Sequence, residues 1–360
     1  MPAPGKPWIT ANQVTVLRLI PMPVLSWLIY RGYAQADESL LWAALIAGTL
    51  IGCTDWVDGM LARKYGPTVL GGLLDPIADK VFIAFAYTPF ADAFIQGTTR
   101  TLVPWWACAL MFMREFFVTA LRSAYEQRDL SMKTSYIAKA KTWTQMQGIG
   151  VMLLFPLVHS RTFMVSMLGV GIGLPLVAMA GLWIARRKRW MAALWMSLSF
   201  IGILAVYLYD PDYAPASIML GVVAITWISG LGYIRLGWRE LRGRGDFSRA
   251  DAVRLVGALA LPVLLFSVLH YTDAPRWTIF AILAFELAVG GLDNLLSHHK
   301  VATKALAWGG RILGVCVLLG GALALPQFST PLSIVAAAAS VIGVVAEFAR
   351  GRSYYVGALD

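Results

Sequence analysis

From residue 14 to residue 349 the sequence is a succession of apolar runs, and the polar turnarounds between them alternate in charge. Each run is close to the roughly 20 residues that an α-helix needs to cross a bilayer. The runs fall near 14–30, 40–61, 76–95, 102–122, 142–158, 163–184, 190–208 and 216–237, then 252–270, 277–297, 305–325 and 331–349. With the amino end inside, the odd turnarounds (RGYAQADE, QGTTR, VHSRT, YDPDYAP, HYTDAPR, PQFSTP) hold one basic residue or none. The even ones hold RK, the stretch 122–141, ARRKR, the stretch 235–254, HHK with Lys304, and ARGR. Of the 30 Lys and Arg, only Arg31, Arg100, Arg161 and Arg276 fall on the outer side. This is the positive-inside pattern, and an error of one helix in the count would break it.

Composition agrees. Charged residues make up 14% of the chain against a mean hydropathy of +0.66, where soluble domains carry about 25%. A soluble enzyme, a disordered chain and a secreted scaffold are excluded. The apolar runs are continuous and lack the period-two alternation of an outer-membrane barrel. The predicted fold class is all-α, a polytopic membrane helix bundle of about 12 spans. The net charge of +10 then belongs to the cytoplasmic face and its anionic head groups, with no nucleic-acid partner. Cys53, Cys108 and Cys316 sit singly in apolar stretches, without metal or disulfide spacing, and read as small core residues. The opening MPAPGKPWITANQ lacks a signal-peptide layout, and 8–13 reads as an interfacial lead into the first span.

Against this apolar background, four acids stand within 25 residues, in CTDWVDGMLARKYGPTVLGGLLDPIADK. Asp55 and Asp58 are spaced i, i+3, and Asp75 and Asp79 i, i+4, so each pair lies on one helical face. Two antiparallel helices joined by a short loop could point all four at a common volume. Each Asp near a span centre costs about 2.5–3.5 kcal/mol, and four together repel or bind protons. Lys80 and Arg63 are too few to neutralise them. Hard oxygen ligands without His or Cys select Mg²⁺ or Mn²⁺, and four carboxylates suit two ions, an arrangement that polarises phosphoryl groups. Helix capping at the interface would need one acid, not four. Gly59 lets a ligand approach the helix closely, Ala62 lies on the same side as Asp58, and Arg63 is a planar charge suited to phosphate.

The pattern Asp55-x2-Asp58-Gly59-x2-Ala62-Arg63, then Gly71-x3-Asp75-x3-Asp79, resembles the signature of the CDP-alcohol phosphotransferases, membrane enzymes with six core helices. The spacer from Arg63 to Gly71 holds seven residues, where family members often have eight. ANQVTVLRLIPMPVL (11–25), with Asn12, Thr15, Arg18 and Pro21, is similar to the family's opening segment. LDPIADK, MREFFVTALR (113–122) and AKAKTWTQM (138–146) resemble the members that build phosphatidylglycerophosphate. TWISGLGYIRLGWREL (226–241) resembles their last core helix.

The resemblance implies transfer of a phosphatidyl group from CDP-diacylglycerol to an alcohol with release of CMP. It implies two metal ions on Asp55, Asp58, Asp75 and Asp79, with Asp79 also accepting the hydroxyl proton. Gly59, Ala62 and Arg63 would line the nucleotide site. It divides the chain into a catalytic unit over 1–242, with an inserted helix pair over 162–210, and a four-helix extension over 243–360. The longest polar stretch, 235–251, marks that boundary.

Cations indicate the acceptor. Arg114 lies within the fourth span and is costly there unless paired. Glu115 is its sequence neighbour and is expected to face another direction, leaving an anionic ligand or the aspartates as partner. With Arg122, Lys139 and Lys141, the set suits an acceptor that carries phosphate, and the resemblance of 113–146 implies that this is glycerol 3-phosphate. Inositol phosphate would use it equally well; serine would leave it unexplained. A silent membrane scaffold or transporter is the reading from another class, and the four intact aspartates weigh against it. The expected setting is a bacterial plasma membrane, with active site and both termini cytoplasmic, and is compatible with a homodimer. In the extension, Glu286 and Asp293 share a helix face, followed by His298, His299 and Lys300; structural pairing is the expected role. Gly pairs at 290–291, 309–310 and 320–321 suit close helix packing.

Overall fold

The structure, a computed structural model, describes residues 11–356 apart from 67–68, 96, 129, 131–135, 188–189, 246 and 299–304. Over these the chain is helical: α1 (Ala11–Leu19), α2 (Met22–Gln35), α3 (Glu38–Tyr65), α4 (Val69–Ala91), α5 (Trp105–Glu126), α6 (Tyr136–Leu154) and α7 (Arg161–Arg186). There follow α8 (Met191–Tyr209), α9 (Ala214–Arg244), α10 (Arg249–Tyr271), α11 (Arg276–His298), α12 (Ala305–Ala324) and α13 (Ser329–Val356). An isolated bridge between Phe94 and Thr101 is the only strand-like pairing among the described residues.

Each expected run carries a helix, and the first carries two. Residues 14–30 do not form one uninterrupted span, because α1 and α2 meet at Pro21. Proline has no N–H to continue the ladder, so Pro21 and Pro23 end one helix and start the next. Ala36 turns the chain in a left-handed conformation, φ 53°. Asp37 then caps α3, its carboxylate accepting from the Ser39 hydroxyl and from the Ser39 and Leu40 N–H groups. Those bonds, the Ser39 hydroxyl foremost, hold the Asp37 carboxyl below the ordinary carboxylate range.

With α1 and α2 taken together, seven helices among the described residues are long and apolar enough to cross a membrane, and Ala193–Tyr209 and Gly310–Ala324 form shorter apolar helices. The remaining three, α4, α5 and α6, carry part of the charged residues of the site described below. Large apolar side chains face outward around the bundle, among them Ile20, Leu50, Val170, Leu174, Val177 and Ile184. Water would make such a belt an aggregation surface; lipid is its proper solvent.

α5 is the enclosed centre, with α9, α10, α11 and α4 around it. Phe112 on α5 stacks on Phe266 of α10, centroids 5.8 Å apart. α9 comes close because Gly237 has no side chain: a Cβ there would stand 2.7 Å from Leu121. One buried apolar cluster runs from Met22 through Phe82 and Phe112 to Leu283 and Leu319, so α10–α13 share the core of α2–α6. The α7–α8 pair is peripheral: α7 packs on α8, which touches α6 and α9.

The acids of the last helices are paired internally. Glu286 accepts from Arg311 Nε and Nη2 at 3.2 and 2.8 Å. Asp293 lies 3.6 Å from Arg254. Gly291 lets α11 approach α4, a Cβ there falling 2.9 Å from Ile77. The His298 side chain, His299 and Lys300 lie outside the described residues. Of the cysteines, Cys108 and Cys316 are buried, but Cys53 is exposed rather than in the core, because it lies on the α3 flank that bears outward-facing Leu50 and Val57.

Candidate active site

α1 lies against α3 and α4, and two of its residues gather the four aspartates. Thr15 Oγ1 lies 2.9 Å from Asp75 Oδ1 and 3.2 Å from Asp58 Oδ2. Its single proton can serve one of them at a time. Arg18 Nη1 donates to Asp55 Oδ1 at 2.6 Å and stands 3.5 Å from Asp79 Oδ1. Thus α3 and α4 do bring both acid pairs to one volume, and a short helix from the other side joins them crosswise. Asp58 is buried, Asp55 is exposed, and Asp75 and Asp79 are intermediate. Thr15 and Arg18 were legible only as part of a familiar opening segment; nothing in their local spacing announces contacts across 37 to 60 residues.

The donor chemistry fits hard divalent cations: four carboxylates face one guanidinium and remain net negative. Among the described residues, no three carboxylate, imidazole or thiolate groups stand together as a coordination set. Arg18 and Thr15 each engage one carboxylate from α3 and one from α4.

A cavity of about 580 Å³ opens on this cluster. Arg18, Asp55, Asp79, Gly59 and Arg63 line its polar end, and Leu45, Ile51, Phe82, Ile149 and Leu153 extend it along α3, α4 and α6. The Arg63 guanidinium folds back over Gly59, its Nη1 3.4 Å from where a Cβ would stand, so glycine leaves this wall low. The Ala62 side chain lies outside the described residues. The cavity suits a ligand with an anionic head and an apolar body.

A second, smaller cavity of about 180 Å³ lies on the other side of Asp79, which lines both. Its polar walls are Lys80, Glu115, Lys141, Thr142 and Gln145. Lys80 Nζ donates to Thr119 Oγ1 at 2.7 Å, and Lys141 Nζ to Glu115 Oε1 at 2.7 Å. Arg114 backs them, with Nη1 3.4 Å from Glu115 Oε1 and Nη2 donating to Ser229 Oγ at 2.9 Å. Glu115 therefore does not face away from Arg114, and Arg114 has its partners inside the protein. Adjacent helix positions diverge, but the long Arg114 side chain bends toward the buried carboxylate that Lys141 also reaches. Three cations around one carboxylate leave this group net positive, suited to an anion. Gln145 is 2% exposed, and its Nε2 has no hydrogen-bond partner among the described residues.

Of the four cations expected to hold an acceptor phosphate, the structure brings Lys141 to this cavity and Arg114 just behind it. Arg122 stands apart, its guanidinium 5.7 Å over the Tyr233 ring. The Lys139 side chain lies outside the described residues. Lys80 and Gln145 also line the cavity; Lys80 follows Asp79 directly and was considered only as a neutralising charge.

The model of the CDP-alcohol phosphatidyltransferase family matches residues 8–178. A protein of Sodalis glossinidius named CDP-diacylglycerol–glycerol-3-phosphate 3-phosphatidyltransferase is 34% identical over 155 residues, covering 41% of this chain and 76% of the relative. Its namesake from Salmonella choleraesuis is 33% identical over 153 residues, 40% and 75% of the two chains. A probable phosphatidylglycerophosphate synthase of Mycobacterium tuberculosis is 35% identical over 147 residues, 40% of this chain; the chain spans 65% of that relative's length. No solved structure shows a significant match.

Proposed function

Because the chain belongs to the CDP-alcohol phosphatidyltransferase family, we propose that it transfers a phosphatidyl group from CDP-diacylglycerol to glycerol 3-phosphate, releasing CMP. The observation that carries this reading is the single carboxylate, Asp79, that lines both a large amphipathic cavity and a small one walled by Lys80 and Lys141. The larger cavity suits the liponucleotide, with its diphosphate at Arg18 and Arg63 and its acyl chains along α3 and α6. The smaller suits a phosphorylated alcohol, with its phosphate near Lys80 and Lys141. At the shared wall, Asp79 takes the proton of the attacking hydroxyl. The hydroxyl oxygen bonds to the phosphatidyl phosphorus while the bond to the CMP oxygen breaks.

Asp55, Asp58, Asp75 and Asp79 would hold Mg²⁺ or Mn²⁺, two ions by their number, which would neutralise the diphosphate and the charge developing on CMP. The 1–242 segment is read as the catalytic unit, with 162–210 an inserted pair. The multi-pass bundle is assigned to a bacterial inner membrane, with the site and both termini on the cytoplasmic side that its basic turnarounds mark.

The test is CMP release from CDP-diacylglycerol by the purified protein, offered glycerol 3-phosphate, inositol phosphate or serine. Turnover with the first is expected; turnover with serine alone overturns the acceptor assignment. Arg18→Leu removes an interior counter-charge from the aspartates. Truncating one member of a buried charge pair costs about 2–5 kcal/mol, and its half-exposed partners place this case at the low end. A fall in kcat/KM of about 30-fold is expected, with a larger gain in Tm on adding Mg²⁺ than wild type shows. Equal Mg²⁺ response in both proteins would show that Arg18 does not share the carboxylates with a cation.

A further inference from the structure

The smaller cavity has one wall from outside the segment that matches the family. Leu287, on α11, lines it together with Asp79, Lys80, Lys141 and Gln145, more than a hundred residues beyond the family match at 8–178. We propose that Leu287 closes the acceptor site, so that the C-terminal extension sets how large a phosphorylated alcohol can react. This rests on the assignment of that cavity to the acceptor.

Three observations support a functional wall rather than incidental packing. The cavity is about 180 Å³, less than a third of the neighbouring one, so a change in the size of one lining side chain is large relative to its volume. It holds a buried donor, Gln145 Nε2, with no hydrogen-bond partner among the described residues, and Lys80 and Lys141 line it with Arg114 behind them. Both features call for an anionic, hydrogen-bonding occupant.

The wall is also fixed in place. Leu287 is 2% exposed, and Gly291, one turn along the same face, lets Ile77 of α4 press against α11. Glu286 and Asp293 tie α11 to α12 and α10 through Arg311 and Arg254. An α11 anchored on three neighbours cannot rotate Leu287 away to admit a bulkier alcohol. The phosphate end is drawn to Lys80 and Lys141, the reacting hydroxyl must reach Asp79, and Leu287 meets whatever carbon skeleton remains.

The experiment compares Leu287→Ala, Leu287→Phe and Leu283→Ala in the full-length protein. Leu283 is buried on the same helix but does not line the cavity, so it reports on packing loss alone. One methylene in an apolar pocket shifts selectivity by about 10-fold or more. Leu287→Ala is therefore expected to raise the kcat/KM ratio of inositol phosphate to glycerol 3-phosphate by about 10-fold. Leu287→Phe is expected to raise KM for glycerol 3-phosphate by a similar factor, with KM for CDP-diacylglycerol unchanged in both. Leu283→Ala should leave the ratio at its wild-type value. If Leu287→Ala leaves the ratio unmoved in a protein that uses glycerol 3-phosphate, or if Leu283→Ala moves it equally, the wall is overturned and the catalytic reading stands. If wild type uses no phosphorylated acceptor, the catalytic reading falls and takes the wall with it. Should Leu287→Phe fail to fold, the alanine pair decides.

Discussion

Asp79→Asn is expected to lower CMP release by about 10³-fold or more while leaving a folded, membrane-inserted protein. The substitution keeps size and hydrogen-bonding capacity and removes the charge and the proton-accepting oxygen. General-base catalysis contributes about 10²–10⁴-fold, and loss of one carboxylate from the cluster adds to it. Asp79 is the residue for which the effect should be greatest, because it alone among the four aspartates lines both cavities. The measurement is single-turnover CMP release at saturating CDP-diacylglycerol and glycerol 3-phosphate, with size-exclusion behaviour and Tm as folding controls. Undiminished release from a folded variant would remove Asp79 from the reaction.

Stripping divalent ions is expected to bring turnover to background, and Mg²⁺ or Mn²⁺ to restore it. Asp55, Asp58, Asp75 and Asp79 are gathered around Thr15 and Arg18, and one guanidinium cannot balance four carboxylates in a partly dehydrated site. A diphosphate could not enter beside them without added positive charge, since like charges a few ångströms apart repel by several kcal/mol at an effective dielectric of about 20. All-oxygen donors direct the site toward hard ions rather than zinc or copper. The check is turnover after exhaustive chelation, then titration with Mg²⁺, Mn²⁺ and Zn²⁺. Full activity after chelation would end the metal reading, and would leave open whether Asp79 acts as a base.

Much of this site was legible because helical periodicity is a local property. The i, i+3 and i, i+4 spacings placed Asp55 with Asp58 and Asp75 with Asp79, and the alternation of basic turnarounds placed the helices. Contacts between distant helices have no such signature. Arg18 reaches Asp55 and Asp79 only because Pro21 breaks the first span and lays α1 across α3 and α4. The pairing of Arg114 with Glu115 went the other way from the helical-wheel expectation, since a six-atom side chain can bend where Cβ directions diverge. Lys80 was visible beside Asp79, but its role depends on Thr119 and Glu115 of α5 and Lys141 of α6, which only the packed bundle assembles. Leu287 carries no chemical signal in the sequence at all; a leucine becomes a wall only through the cavity it faces.

Asp79 and Lys80 are consecutive residues of one helix, and successive side chains on a helix point about 100° apart. The aspartate cluster and the lysine-bearing wall of the smaller cavity are therefore joined by a single peptide bond. A tilt or slide of α4 therefore carries Asp79 and Lys80 along by the same amount. The register of these two side chains at the wall between the cavities is written into covalent geometry rather than into the closing of one domain on another.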